Sequence, residues 1–137
     1  MNMHFYQCEI CGKIIAVMSV DEIPTECCGQ TMEEVIPQNT DIAAEKHVPV
    51  FHTDNGCVKV CVGSVPHPME ESHSILWIGL FTDCGCQIKG LSPGDPAEAC
   101  FRIGPEEKVQ AVYAFCNIHG LWYSDRESEL PADCCGE

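Results

Sequence analysis

At 137 residues with 45% hydrophobic content, the chain can bury one substantial core and a small appendix. A formal net charge of −14 leaves no basic surface to neutralise phosphates, which excludes nucleic acid as a partner. No run approaches the roughly 18–20 apolar residues that a membrane span needs.

The opening Met1-Asn2-Met3-His4-Phe5 lacks the basic and then apolar regions of a signal peptide, so the expected compartment is the cytoplasm. Twelve cysteines in a reducing compartment are expected to be metal ligands and buried thiols rather than a disulfide framework.

Residues 1–37 carry Cys8-Glu9-Ile10-Cys11-Gly12 and then Cys27-Cys28-Gly29, a C-x2-C-x15-C-C spacing. Four thiolates suit a tetrahedral zinc or a single iron. The glycines after each pair fit tight turns whose backbone N–H groups can point at sulfur. The segment is too poor in apolar residues to fold unaided, so metal binding would supply much of its folding energy. A purely structural zinc knuckle is the competing reading. The adjacent pair Cys27-Cys28 departs from the C-x2-C spacing at both ends of common zinc ribbons and demands a distorted turn.

Pro37-Gln38-Asn39-Thr40-Asp41 has neither periodicity nor apolar weight and reads as a linker. From Glu45 onward the pattern is β. Val48–Phe51 and Cys57–Val62 flank Asp54-Asn55-Gly56, a hairpin signal. Ser74–Phe81 is a continuous apolar run suited to a central strand. Cys86–Leu91, Ala99–Ile103, Lys108–Cys116 and Leu121–Ser124 complete about seven short strands, and no segment shows a 3.6-residue period. The fold class expected is mainly β: a small four-cysteine metal domain followed by a seven-stranded antiparallel sandwich of immunoglobulin type. Residues 38–125 would form the sandwich, and 126–137, ending in Cys134-Cys135-Gly136-Glu137, a flexible tail with free thiols, an accessory metal ligand being the second reading of that pair.

Five residues at strand ends suggest a second metal centre. His47 opens the sandwich, His67 and His73 bracket a loop before the central strand, and Cys116-Asn117-Ile118-His119-Gly120-Leu121-Trp122 follows a half-buried strand. Taken singly, each histidine is an ordinary surface or core residue. Four of the chain's six histidines at strand ends, with one cysteine, are better read as ligands. Structural zinc closes at four ligands. Five ligands leave an octahedral metal one open position, where a small molecule can bind. Neutral imidazoles favour the ferrous state, and a thiolate donates electron density as it does to haem iron.

With these residues in view, the chain resembles the desulfoferrodoxins, the two-iron form of superoxide reductase, over residues 1 to about 123. The N-terminal part resembles desulforedoxin, a rubredoxin-like iron domain, through Cys8, Cys11, Cys27 and Cys28. The larger part resembles the catalytic domain through Glu45-Lys46-His47, His67-Pro68 with His73, and the run from Cys116 to Trp122. The resemblance implies two mononuclear irons, one held by the four cysteines and one by His47, His67, His73, His119 and Cys116. It places four histidine nitrogens in a plane, the Cys116 sulfur axial, and the opposite position toward solvent. It implies that ferrous iron there gives superoxide one electron, two protons follow, and hydrogen peroxide leaves without oxygen evolution. It further implies that Lys46 attracts the anion, that Glu45 takes the sixth position of the oxidised iron, that a rubredoxin-like carrier supplies electrons, and that the protein is a homodimer.

The chain departs from that pattern in Cys57, Cys61, Cys84, Cys86, Cys100, Cys134 and Cys135. Cys57 and Cys61 share a strand face but are roughly 13 Å apart, too far to bridge unless the strand bends. These cysteines are expected to be mostly buried thiols acting as small hydrophobes. Asp83-Cys84-Gly85-Cys86 keeps a redox-active or metal-binding turn as a second reading. A pure iron electron carrier and a structural zinc protein are the alternative functions, and the five-ligand set counts against both.

Overall fold

A computed structural model describes residues 3–18, 25–40, 44–63, 67–132 and 134, with the backbone alone at 44 and 45. The chain divides into two compact units, Met1–Ile36 and Pro37–Glu137.

In the first unit, β1 (His4–Gln7), β2 (Ile14–Val17) and β5 (Glu33–Val35) form an antiparallel sheet in the order β2-β1-β5, beside a two-strand ribbon of β3 (Glu26–Cys27) and β4 (Gln30–Thr31). The β1–β2 connection is a knuckle in which the Gly12 N–H donates to the Cys8 carbonyl at 2.9 Å and the Cys8 N–H donates to the Lys13 carbonyl at 2.9 Å. The β3–β4 connection is two residues long, and both Cys28 (φ 54°) and Gly29 (φ 76°) have positive φ. Two central residues with positive φ match the strand twist in a two-residue hairpin. This turn is how two consecutive cysteines come to face one point. Among the described residues the buried apolar set here is only Phe5, Cys8 and Met32.

The second unit begins with one helical turn, α1 (Ala44–His47), followed by β6 (Pro49–Asp54), β7 (Cys57–Val62), β8 (Ile75–Thr82), β9 (Cys86–Gly90), β10 (Glu98–Arg102), β11 (Val109–Cys116) and β12 (Gly120–Ser124). The helical turn corrects the purely β reading of this stretch; one turn is too short to leave a period in the sequence. Two antiparallel sheets, β10-β7-β6 and β12-β11-β8-β9, enclose one core. Alternating residues fill it: Val58, Val60 and Val62 from β7, Ile78 and Leu80 from β8, and Val112, Ala114 and Cys116 from β11. Each such side chain contributes about 1.5–3 kcal/mol on full burial. Asp54 pairs with Cys57 across Asn55 (φ 51°) and Gly56 (φ 74°), the hairpin expected from Asp-Asn-Gly.

Two irregular features of this unit bear on the placement of side chains at its rim. The register of β11 on β8 shifts between Phe115 and Cys116, so that Phe115 faces Trp77 while Cys116 faces Ile75. Such irregularities re-aim a side chain at a strand end. The stretch expected as a linker also takes part in the sheet: Gln38 forms a parallel bridge with Trp122, its N–H donating to the Leu121 carbonyl at 2.9 Å and its carbonyl accepting from the Tyr123 N–H at 2.9 Å. The stretch expected as a tail makes specific contacts with β6, where Ser128 N–H donates to the Phe51 carbonyl at 3.1 Å and Thr53 N–H to Glu127 Oε1 at 2.7 Å.

Candidate metal centres

The first unit gathers Cys8, Cys11, Cys27 and Cys28, whose sulfurs all lie within 4.8 Å of one another. Cys11 and Cys27 sulfurs are 3.7 Å apart, and those of Cys27 and Cys28 are 3.9 Å apart. The Cys11 N–H points at Cys8 Sγ at 3.5 Å. That hydrogen bond is the main reason the Cys8 thiol falls to about 7. Cys28 is pushed up to about 12, chiefly through hydrogen bonding with Cys11, and Cys27 is raised for the same reason. One thiol of the set ionises readily and others resist. Four thiolates at this spacing need a cation between them.

The second constellation is built at one rim of the sandwich. His47 ends α1, His67 lies in the loop after β7, His73 lies two residues before β8, Cys116 ends β11 and His119 lies in the β11–β12 turn. Ligand atoms of His47, His67, His73 and Cys116 are all within 4.8 Å of one another. His119 stands beside that set: its Nδ1 is 3.8 Å from Cys116 Sγ. The four imidazoles close a ring, with centroid separations of 4.7 Å (His47–His67), 4.6 Å (His67–His73), 4.9 Å (His73–His119) and 4.6 Å (His119–His47). The diagonal His47–His73 is 6.1 Å. Neighbouring rings are edge to face, so four nitrogens can converge on one point.

Protonation follows from the same geometry. His67 Nδ1 lies 2.7 Å from the Pro68 carbonyl, which fixes the proton on Nδ1 and leaves Nε2 with a lone pair. Burial lowers His67 to about 4, and it lowers His73 as well, helped by the charge of His119. Both rings are neutral near pH 7. Their Nε2 atoms are buried and have no hydrogen-bond partner among the described residues. Unpaired buried nitrogens are costly, and a metal ion would satisfy them. Cys116 is fully buried in the core cluster and receives the His119 N–H at 3.4 Å.

Three further residues support the site, and sequence reading gave none of them a role. Asn117 ties the β11–β12 turn to the loop carrying His73: its Oδ1 accepts the Ser74 N–H at 3.0 Å, and its Nδ2 donates to the Ser72 carbonyl at 3.2 Å. Trp122 stacks on His47 at 5.0 Å and 23°, and its Nε1–H donates to the His119 carbonyl at 3.1 Å. Gln38 Nε2 donates to the same carbonyl at 3.0 Å. Asn117 and Trp122 lie inside the motif, where a polar residue between two ligands was the available signal; Gln38 carried none.

Lys46 is exposed on α1, and its charge contributes to lowering His73. The Glu45 side chain lies outside the described residues. His4 and His52, the two histidines outside the cluster, sit against Glu34 and Glu127 on the surface.

The surplus cysteines divide. Cys61 is buried, as expected, but Cys84 and Cys86 are exposed, against the expectation, because Cys84 lies in the β8–β9 turn and Cys86 opens β9, an edge strand exposed along its whole length. Cys57 and Cys100 form a disulfide between β7 and β10. This overturns the reading of both as thiols: with Arg102 opposite Cys57 and Lys59 opposite Cys100, they are diagonal neighbours on paired strands, 6.3 Å apart at Cα. Cys135 lies outside the described residues.

Residues 39–125 match the protein family described as desulfoferrodoxin. The chain is 43% identical over 126 residues to the desulfoferrodoxin of Syntrophotalea carbinolica, a match spanning 90% of this chain and 97% of that one. It is 32% identical over 107 residues to the superoxide reductase of Pyrococcus horikoshii, spanning 65% of this chain and 92% of the relative. The crystal structure of the superoxide reductase from Treponema pallidum is similar with a TM-score of 0.76 at 31% identity, over 90% of this chain and 97% of that one.

Proposed function

The chain belongs to the desulfoferrodoxin family, and from that premise we propose how its residues carry out the reaction. The protein is a superoxide reductase, an oxidoreductase that converts superoxide to hydrogen peroxide. Iron would be held once by Cys8, Cys11, Cys27 and Cys28 and once by His47, His67, His73, His119 and Cys116, and when bound would supply one-electron redox chemistry. The observation that carries this reading is the convergence of neutral, buried imidazole nitrogens on the buried Cys116 sulfur.

Each residue then has its own task. His47, His67, His73 and His119 offer imidazole nitrogens, and burial keeps those of His67 and His73 unprotonated near pH 7. The Pro68 carbonyl sets the His67 tautomer. Cys116 offers its sulfur from the core side, where packed side chains surround it, and accepts the His119 N–H. Lys46, exposed beside the site, provides local positive charge that a chain at −14 needs to attract an anion. Glu45, next to it in sequence, is the carboxylate that shields the open face in the oxidised protein. The first unit acts as a desulforedoxin-like domain that relays electrons, residues 38–125 as the catalytic sandwich, and 126–137 as an appended tail. A rubredoxin-like carrier as donor, a homodimer and a cytoplasmic location complete the reading. Among the described residues no helix is long and apolar enough to cross a membrane.

The test is metal content and visible spectroscopy on the protein and on Cys116→Ser. Two irons per chain are expected, with separate ferric-thiolate bands. In Cys116→Ser one band and superoxide consumption disappear while the four-cysteine band stays. Zinc in place of both irons, or full activity in the variant, would overturn the assignment.

A further inference from the structure

A third set of metal-binding side chains shares no residue with either iron centre. Cys61 is on β7, on the face shared with Cys57 and Lys59 and opposite the core-filling Val58, Val60 and Val62. Glu98 is its direct partner on β10, so the two side chains leave the sheet on the same side. The chain after β12 returns along β6 through the Ser128–Phe51 hydrogen bond, then turns, with the Cys134 N–H donating to the Pro131 carbonyl at 3.0 Å. That turn brings Cys134 to the other two. The sulfurs of Cys61 and Cys134 and a carboxylate oxygen of Glu98 all lie within 4.8 Å of one another. Neither cysteine is disulfide-bonded.

We propose that Cys61, Glu98 and Cys134 form a third metal site, for a divalent cation of the zinc class, which clamps the C-terminal segment onto the sandwich. The donor chemistry is two thiolates and one carboxylate, a set that zinc accepts at bond lengths of roughly 2.0–2.3 Å. Such bonds place tetrahedral donors a little under 4 Å apart, within the spacing seen here and close to that of the four-cysteine set. Without a cation, three groups that carry negative charge when ionised would repel each other in a chain already at −14. With one, their charge is what holds it.

A cavity of about 210 Å³ adjoins the cluster, lined by Cys61, Glu98 and Cys134 together with His67, Met69 and Asp95. It leaves a fourth coordination position open to water or to a further donor. Because His67 forms part of its wall, the clamp fastens the chain's end against the loop that carries an iron ligand. The site stands apart from the superoxide chemistry, and its test does not use that activity.

The experiment starts from full-length protein with both irons bound and thiols reduced, titrated with Zn²⁺ and, for its spectrum, Co²⁺. One further equivalent is expected, with Co²⁺ giving thiolate charge-transfer absorption while the iron bands stay unchanged. Glu98→Gln should weaken that equivalent at least about 10-fold. Cys134→Ala, near the chain's end and outside the core, should abolish it while the iron content and iron bands persist, which also shows that the variant is folded. Absence of a third equivalent, its full retention in Cys134→Ala, or mass mapping that finds Cys61 and Cys134 bridged to each other in the titrated protein would each overturn the site.

Discussion

Replacing Asn117 with alanine tests whether the site is held by the tie between its two loops. The Ser74 N–H is buried and donates only to Asn117 Oδ1, at 3.0 Å, among the bonds the structure shows for it. Alanine would strand that donor, at about 1–3 kcal/mol. The Ser72 carbonyl would lose Nδ2, but Ser72 is exposed and water can replace the bond at little cost. The backbone link from the Asn117 N–H to the Ser74 carbonyl at 3.1 Å remains. Denaturant unfolding should therefore show a loss of about 2 kcal/mol. Superoxide consumption should fall roughly 10–100-fold, because the loop that fixes His73 is no longer pinned. Asn117→Asp keeps the Oδ acceptor and should recover most of the stability. It also places a carboxylate oxygen near the Cys116 sulfur, which Asn117 Oδ1 approaches at 4.0 Å, so activity should recover less. An alanine variant within about 0.5 kcal/mol of the parent and fully active would refute the tie.

Other perturbations address other links. Lys46→Ala should slow the superoxide encounter several-fold at low ionic strength and converge with the parent at high salt, since screening removes steering; rates unchanged at every salt concentration would remove Lys46 from the mechanism. In the metal-free protein, His67 has a folded pKa of about 4 against an ordinary 6.5. The unfolded chain then binds the extra proton between those values, so stability is fully present above 6.5 and is lost as pH falls toward 4, by up to about 3 kcal/mol. Unfolding curves of the metal-free chain measured across that window, with His67→Gln as control, check it; a slope that survives in His67→Gln belongs to another group. Reducing the Cys57–Cys100 bond should add two hydrogens to the intact mass. With the cysteines 43 residues apart, it should also lower stability by at most about 4 kcal/mol on the loop-entropy account; an unreactive pair of free thiols in the native protein would contradict the bond.

What the sequence made legible was what depends on short-range pattern. Asp54-Asn55-Gly56 announces its turn because two positive φ values are needed there and few residues supply them. The alternation of Val58, Val60 and Val62 places β7 in the core without any knowledge of its partners. The gathering of these cysteines and histidines was legible for a related reason, since Cys and His at strand ends have few other uses in such numbers. Features that depend on which strands lie side by side were not legible. Cys57 meets Cys100 only because β7 and β10 pair in one register. Gln38 reaches His119 across 81 residues, from a stretch whose single bridge leaves no period. The helical turn at His47 is shorter than any periodicity could reveal.

The two iron centres rest on opposite physical foundations. In the sandwich, Cys116 is the third of three inward residues on β11, after Val112 and Ala114, so its position is fixed by packing that exists whether or not a metal is bound. Trp122, fully buried, holds the His47 ring and the His119 backbone in the same way. Such a frame can keep imidazoles at a spacing that suits both oxidation states, with little reorganisation on electron transfer. The first unit has no comparable interior: Phe5, Cys8 and Met32 are its buried apolar residues among those described, and one of the three is a ligand. There a bound metal would supply much of the folding energy, with the left-handed turn at Cys28-Gly29 presenting two of its ligands. The sandwich centre is thus the one whose ligand geometry rests on packing, and the four-cysteine centre the one whose folding is coupled to its metal.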